Sequence, residues 1–131
     1  MLEVGLKGSF AVKVTDENTA KTMKSGDLDV FATPSLVAAL EAASVDAIAK
    51  ELEEGSTTVG IKICVNHTAP SVVGMTVTAE AELIEINQRQ LVFKVSAYDE
   101  KGIVGEGEHI RCIIDSERFM TKANGRNKDV D

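Results

Sequence analysis

The sequence predicts an α+β domain in which one long amphipathic helix packs on an antiparallel sheet. Two observations support this prediction. The alanine-rich segment 34–54 repeats its apolar residues with helical spacing. Several other segments alternate apolar and polar residues with the period of two that is typical of half-exposed strands. The expected order is a strand, a loop, the long helix and then four strands that pair as a meander.

The chain of 131 residues is long enough for one domain with a hydrophobic core of its own. We expect a single domain over residues 1–120, followed by a polar, frayed tail over 121–131. Lys and Arg number 14 against 21 Asp and Glu, which gives a net charge of −7 at pH 7. This charge has the wrong sign for a general nucleic-acid binder. We therefore expect no nucleic-acid partner.

Both cysteines, Cys64 and Cys112, lie in apolar runs, which favours reduced thiols and a cytoplasmic protein over a disulfide scaffold. The N-terminal residues lack the order of a secretory signal, and no window holds the roughly 18 apolar residues of a transmembrane helix. No membrane partner is expected. Cys64 with His67 and His109 with Cys112 have the spacing of half a zinc site. Because that spacing within a strand sends the two side chains to opposite faces, we expect no metal. The sequence has no G-x-G-x-x-G or P-loop motif, and no other cofactor is expected.

The first strand is expected at residues 9–15, where Phe10, Val12 and Val14 alternate on one buried face. Residues 16–29 are polar and predict a loop with at most a short helical turn. Such a loop lies just before the helix. It is therefore in a position to cover a pocket.

The long helix is the clearest element of the sequence. Thr33 offers an N-cap before Pro34 at the first helical position, and Gly55 is a plausible stop. The spacing predicts an inner stripe of Leu36, Val37, Leu40, Ala43, Ser44, Ala47 and Ile48.

Four strands are expected after the helix. The first places on one face the alternating residues Val59, Ile61, Ile63 and Val65. The next opens at Gly74 and changes phase at 83–84, as a β-bulge would cause. A turn at 87–90 leads to the strand at 91–97, and a hairpin turn at 99–102 leads to the last strand, 103–114.

A long central helix wrapped by an antiparallel sheet of five or so strands is the layout of a hotdog fold. One such sheet has exposed edges and a helix on only one face, so the fold needs a partner chain. We therefore expect a homodimer, with a tetramer left open.

Glu41 is the only charged residue in the segment 30–45, and it shares a helical face with Val37 and Ser44. Its carboxylate should be partly buried. Burial favours the protonated form of a carboxylate, which suits a general base, and it requires a partner group. A rim carboxylate turned to solvent, or a structural ion pair, explains the residue equally well.

Thr33 is explained as a helix cap, although a hydroxyl at this position can also orient water. His67 ends the apolar face of its strand and should point toward the helix, where a structural role is also open. With Glu41 these residues supply a hydroxyl, an imidazole and a carboxylate, the ingredients of assisted acyl transfer. Gly60 interrupts a β-branched strand, which indicates either the close approach of a ligand or backbone, or a simple bulge.

The segments VFATPSLVAALEAAS and GIKICVNHTAPSVVGMTVTAEAEL resemble hotdog-fold acyl-CoA thioesterases of the fluoroacetyl-CoA thioesterase-like family, over roughly residues 8–119. The resemblance implies a catalytic set made of a helix-start threonine, a mid-helix glutamate and the histidine of a V-x-H-T-A segment. The matching residues here are Thr33, Glu41 and His67.

The resemblance also implies that Gly60 lies against the thioester and that Arg111 belongs to the substrate site, where it would support Glu41. The chain departs from the family in the loop, because residues 24–27 are polar where the fluoroacetate-specific enzyme has lid phenylalanines. We therefore expect a different acyl group or a less selective pocket.

The resemblance thus implies hydrolysis of an acyl-CoA thioester to a carboxylic acid and CoA, in a pocket between the helix of one protomer and the sheet of its partner. A non-catalytic module that binds acyl-CoA is the alternative. A hydratase is a third reading, although Asp27 and Asp29 have no nearby histidine. The CoA phosphates need cations, and the sequence does not rank the candidates Lys62, Arg89, Arg118, Lys122 and Arg126.

Overall fold

The computed structural model describes residues 1–127 and confirms the α+β prediction. One long helix lies on a single antiparallel sheet of five strands. The strands are β1 (Lys7–Lys13), β2 (Ser56–His67), β3 (Thr76–Asn87), β4 (Gln90–Asp99) and β5 (Gly102–Asp115). The helices are α1 (Ala20–Met23), α2 (Thr33–Ile48) with a 3₁₀ turn after it (Ala49–Glu51), and α3 (Ser116–Gly125).

The strands lie in the order β1-β3-β4-β5-β2, and every neighbouring pair is antiparallel. The predicted four-stranded meander is therefore wrong, because only β3, β4 and β5 form one. Helix α2 comes after β1 and before β2 in the chain, and it packs across the inner face of the sheet. The strands on either side of the helix in the sequence, β1 and β2, therefore lie at opposite edges of the sheet. Both β1 and β2 are left with one unpaired edge within the chain.

Helix α2 begins one residue earlier than predicted and ends earlier, at Ile48. Its N-cap is Ala32, which has no side-chain cap, so the expectation that Thr33 caps the helix is wrong. Every residue of the predicted inner stripe is buried except Val37, which is half-buried. Ala39, which was not predicted, is buried as well. The stripe packs on the inward residues of β3 and β4: Val77, Ala79, Ala81, Leu83, Leu91, Phe93, Val95 and Ala97.

Strand β1 begins two residues before its predicted start. Val14 is buried as expected, but Phe10 is 44 % exposed, because β1 is an edge strand and α2 touches it at Gly8. A Cβ at Gly8 would overlap the α2 backbone at Ala43 and Ala47. The absence of a side chain at Gly8 therefore sets how closely the helix packs on this edge.

Strand β2 contains a bulge, which was one of the two interpretations that Gly60 left open. Its pairing with β5 shifts between Gly60 and Lys62, which leaves Ile61 without a partner and 50 % exposed. Thr58, before the bulge, is buried. The prediction that Val59 and Ile61 share a buried face with the residues after the bulge is therefore wrong, because the extra residue changes the phase of the strand.

The other predicted irregularities are confirmed. The β3–β4 register shifts between Leu83 and Glu85, at the expected bulge. The turn after β3 has Gln88 at φ 59°, and the hairpin turn before β5 has Gly102 at φ 134°. Positive φ values are typical of tight hairpin turns.

The predicted tail differs from the structure over residues 121–125, which belong to α3. Asp115 caps this helix by accepting a hydrogen bond from the Arg118 backbone N–H, and α3 buries none of its residues. This cap explains why α3 forms in a segment whose low apolar content predicted no helix. Residues 128–131 lie outside the described part of the chain. Within residues 1–127, no helix has the length and apolar character needed to cross a membrane.

Candidate active site

Thr33 and His67 are brought together by the start of α2 and the end of β2. The Thr33 hydroxyl lies 2.8 Å from Nδ1 of His67. The other ring nitrogen of His67, Nε2, is buried and has no hydrogen-bond partner among residues 1–127. Because buried ring nitrogens are normally paired, this atom is available to a water molecule or a ligand.

An open cleft of about 300 Å³ lies at this pair. Its walls come from the polar loop, the start of α2 and the turn after β2: Ala20, Ser25, Val30, Phe31, Thr33, His67, Thr68, Ala69 and Pro70. The loop before the helix therefore contributes to the cleft, as its position in the sequence predicted. Two larger clefts, of about 480 and 720 Å³, contain neither Thr33 nor His67.

The environment of His67 favours its neutral form. Burial lowers the pKa of the imidazole below its ordinary value of 6.5, and the nearby Ala69 backbone opposes this only in part. A neutral imidazole has one nitrogen that donates and one that accepts. His67 is therefore suited to receive a proton at neutral pH.

Hydrogen bonds fix the chain on both sides of the pair. The backbone N–H of Phe31 donates to the Ser71 carbonyl (2.8 Å), and the buried Ser71 hydroxyl donates to Asp99 Oδ2 (2.7 Å). The N–H of Thr68 donates to the Val104 carbonyl (2.7 Å). The start of α2 and the turn after β2 are thus tied to each other and to the β4–β5 end of the sheet.

Glu41 projects from the middle of α2 and is paired. Nη1 of Arg111 donates to Oε2 of Glu41 at 3.1 Å, and the glutamate side chain is 40 % exposed. Arg111 itself is buried, and Thr58 accepts from its Nε at 2.8 Å and from its Nη2 at 3.0 Å. The contact expected between Arg111 and Glu41 is therefore present, and the carboxylate is partly buried as predicted.

Gly60 faces this ion pair. A Cβ at Gly60 would lie 2.5 Å from Oε2 of Glu41 and 3.2 Å from Nη1 of Arg111. Of the two interpretations left open by the sequence, the bulge is confirmed, since the register shifts just after Gly60, and the group nearest the glycine is a side chain rather than backbone. The group that approaches is the Glu41 carboxylate.

His109 completes this group and was missed as a site residue in the sequence. It is 1 % exposed, and its Nε2 lies 3.1 Å from Arg111 Nη1 and 3.7 Å from Glu41 Oε2. The signal was its position two residues before Arg111, which puts both side chains on one face of β5. Within residues 1–127, no three or more His, Cys, Asp or Glu side chains cluster as a metal site would require.

The predicted catalytic residues form two groups within one chain. Eight residues separate Thr33 from Glu41 along α2, which corresponds to about 12 Å of helix. The structure joins Thr33 to His67, and it joins Glu41 to Gly60 and Arg111. It does not bring all three predicted catalytic side chains together in one chain.

Sequence comparison agrees with the resemblance. The model of a family described as fluoroacetyl-CoA-specific thioesterase matches residues 14–117. The fluoroacetyl-CoA thioesterase of Streptantibioticus cattleyicolor is 44 % identical over 94 residues, which cover 72 % of this chain and 68 % of that protein. The predicted resemblance to this family is confirmed.

Structural comparison gives the same result. A mutant of the fluoroacetyl-CoA thioesterase FlK, solved in complex with acetyl-CoA, is 34 % identical and has a TM-score of 0.90. The match covers 95 % of this chain and 98 % of that one. A hot-dog-like protein from Thermanaerovibrio acidaminovorans is 22 % identical with a TM-score of 0.84, over 94 % of this chain and 91 % of the other. The predicted hotdog fold is confirmed.

Proposed function

Since the chain belongs to the fluoroacetyl-CoA-specific thioesterase family, whose members are thioester hydrolases, we propose that it hydrolyses an acyl-CoA thioester with Thr33, Glu41 and His67. The observation that carries this proposal is the 2.8 Å contact between the Thr33 hydroxyl and His67 beside an open cleft. A hydroxyl paired with a neutral imidazole is suited to orient water and move its proton.

The reaction balances with water as the only co-reactant. The carbon–sulfur bond of the thioester breaks, a carbon–oxygen bond forms, and a proton from water passes to the departing CoA thiolate. The unpaired Nε2 of His67 is the group that we assign to this proton transfer. Glu41 acts either as a base on water or as a nucleophile that forms an acyl-enzyme intermediate.

Backbone donors are available for the charge that develops on the thioester oxygen. The first turn of α2 has no side-chain cap, and the positive end of the helix dipole lies beside Thr33. Such donors stabilise an oxyanion without reorganising. We assign the oxyanion site to the backbone near Thr33 and Ser35.

We propose that the complete site forms between two protomers. Within one chain Glu41 is about 12 Å along the helix from Thr33, so it cannot act beside the cleft of its own chain. Strand β2 has an unpaired edge, and a second β2 can pair there antiparallel about a two-fold axis. Pairing centred between residues 63 and 64 would put His67 opposite the partner's Gly60 and thus near the partner's Glu41.

Release of CoA thiol from short, aromatic and long acyl-CoAs tests the proposal and begins to define the acyl group. We expect Thr33→Ala, Glu41→Gln and His67→Ala to lower kcat/KM by roughly 10²- to 10⁴-fold. Glu54→Gln is the matched control, because Glu54 is an exposed glutamate beyond the end of α2. It should turn over like the wild-type protein.

Four outcomes would count against the proposal. Full turnover by folded Glu41→Gln would exclude the role of this carboxylate. Tight binding of acyl-CoA without thiol release would favour the non-catalytic module. Hydration of enoyl-CoA substrates in place of thiol release would favour a hydratase. A monomer at the working concentration, with full activity, would exclude the site between protomers.

A further inference from the structure

His109 is a buried histidine beside the proposed catalytic carboxylate, and the reaction as proposed gives it no step. It lies on the inner face of β5, opposite Ile63 of β2 and Phe93 of β4. Its ring is tilted by 30° against that of Phe93, with the ring centres 6.3 Å apart. With 1 % exposure, it has no access to bulk water.

The hydrogen bonds of His109 define its tautomer. Nδ1 lies 2.8 Å from the Lys62 backbone carbonyl, which can only accept, so Nδ1 must bear the proton. Nε2 lies 3.1 Å from Nη1 of Arg111, which can only donate, so Nε2 must be unprotonated. Both contacts are satisfied together only when the imidazole is neutral.

The surroundings agree with a neutral ring. Burial lowers the pKa of His109 below 6.5 and the charge of Arg111 lowers it further, while the Lys62 carbonyl and Glu41 oppose this. Protonation would put a second N–H against the guanidinium. The charged groups that face the ring are Arg111 and Glu41.

Each guanidinium nitrogen of Arg111 has a partner. Thr58 holds Nε and Nη2, while Nη1 lies between Glu41 and Nε2 of His109. Without the histidine acceptor, Nη1 would keep only the half-exposed Glu41 carboxylate. The other contact of His109 fixes the Lys62 carbonyl, immediately after the β2 bulge.

We infer that His109 is a positioning residue that holds Arg111 against Glu41 through Nε2 and holds the β2 bulge through Nδ1–H. This inference rests on the proposed function, because Glu41 is the group that is positioned. His109 transfers no proton in this assignment. Its contribution is geometric, and a small misplacement of a reacting group costs roughly 10²-fold in rate.

Two substitutions separate the two contacts. Gln reaches as far as Nε2 and can present an acceptor to Arg111, whereas the shorter Asn can donate to the Lys62 carbonyl but does not reach Arg111. We expect His109→Gln to keep kcat close to wild type. We expect His109→Asn and His109→Leu to lower kcat by roughly 10- to 100-fold, with KM changed much less.

Imidazole ¹⁵N NMR of the wild-type protein at neutral pH gives a readout that needs no activity. The expected spectrum for His109 is that of the neutral ring protonated at Nδ1. An imidazolium, or a ring protonated at Nε2, would overturn the inference. This result stands whether or not the protein hydrolyses any thioester.

Urea unfolding measures the stability of each His109 variant, so that a loss of kcat can be compared with a loss of stability. Equal losses of kcat in the Gln and Asn variants, in proportion to lost stability, would reduce His109 to a structural residue and overturn the inference. Wild-type kcat in folded His109→Asn would do the same. If wild-type protein releases no thiol from any acyl-CoA, the proposed function fails by itself, and the NMR result still decides the tautomer.

Discussion

Thr33 and Glu41 project from the same helix toward two different parts of β2. Thr33 meets His67 at the end of the strand, and Glu41 lies against Gly60 near its middle. About two turns of α2 separate the two contacts. Because the contacts share no partner, substitutions at one are expected to leave the other intact.

The Thr33 hydroxyl does not cap α2, so its removal should affect the rate far more than the stability. We expect Thr33→Ala to change the free energy of unfolding by less than about 0.5 kcal/mol, as for other exposed positions. Thr19 is the contrasting threonine, since its hydroxyl accepts from the Thr22 N–H at the start of α1. Thr19→Ala should cost about 1 kcal/mol. Urea unfolding of both variants measures the difference, and a larger loss for Thr33→Ala would contradict it.

Gly60→Ala should damage the site directly. The new methyl group would lie 2.5 Å from Oε2 of Glu41, so the ion pair must move. We expect a loss of about 1–3 kcal/mol in unfolding free energy and a large loss of thiol release. Gly125→Ala, at the end of α3, should be neutral or slightly stabilising, because no atom lies within 4 Å of the position that the new Cβ would take. Normal turnover in Gly60→Ala would show that the close approach is not needed.

Thioester hydrolysis should weaken at acid pH because His67 must be neutral to accept a proton. Its pKa lies below 6.5, so the neutral form dominates at pH 7 and is lost only as the pH falls through that lowered value. We expect kcat/KM to fall with an acid midpoint below 6.5. A rate profile on one acyl-CoA measures this, and a midpoint above 6.5 would exclude His67 as the titrating base.

The buried Ser71–Asp99 hydrogen bond should contribute to stability near neutral pH. Ser71→Ala leaves a buried carboxylate oxygen without its donor, so we expect a loss of about 1–3 kcal/mol. Ser9→Ala, at an exposed serine, is the control and should change little. Urea unfolding at neutral pH makes the comparison. Equal stability of the two variants would show that this hydrogen bond contributes nothing.

The same hydrogen bond predicts a pH dependence with a defined sign. Burial raises the pKa of Asp99, but hydrogen bonds from the Ser71 hydroxyl and from the Lys101 and Gly102 backbone outweigh it, so the pKa lies below 3.8. A lowered folded-state pKa stabilises the fold above the ordinary value and loses that effect as the pH falls through the folded value. The deficit of Ser71→Ala should therefore shrink at strongly acid pH. A constant deficit would contradict the assignment.

Local patterns predicted the helix and most strand features. The inner face of α2 and the bulge after Leu83 follow from spacing that a few neighbouring residues reveal. The place of β2 at the far edge did not, because strand order depends on pairing between distant residues. Gly60 left the β2 bulge as one of two interpretations, and the sequence did not favour it, since Ile61 is apolar and extends an apparent alternation from Val59 through Ile63.

The site residues were found unevenly for similar reasons. Thr33 and Glu41 stand out as polar residues in an apolar helix, and the resemblance pointed to both. Thr33 and Glu41 are eight positions apart in one helix, so the distance between them follows from the sequence. A catalytic motif names the residues but does not give this distance. The role of His109 needed the positions of Arg111 and the Lys62 carbonyl, which only the folded sheet supplies.

Because of the bulge in β2, the site depends on the number of residues between Thr58 and His67. Thr58 and His67 are nine positions apart, and an odd separation in a regular strand sends two side chains to opposite faces. The unpaired residue at 61 restores the agreement, so that Thr58 reaches Arg111 and His67 reaches Thr33 from one side of the sheet. Exchanging Ile61 for another residue would preserve this parity. Deleting it would turn one half of the site to the outside.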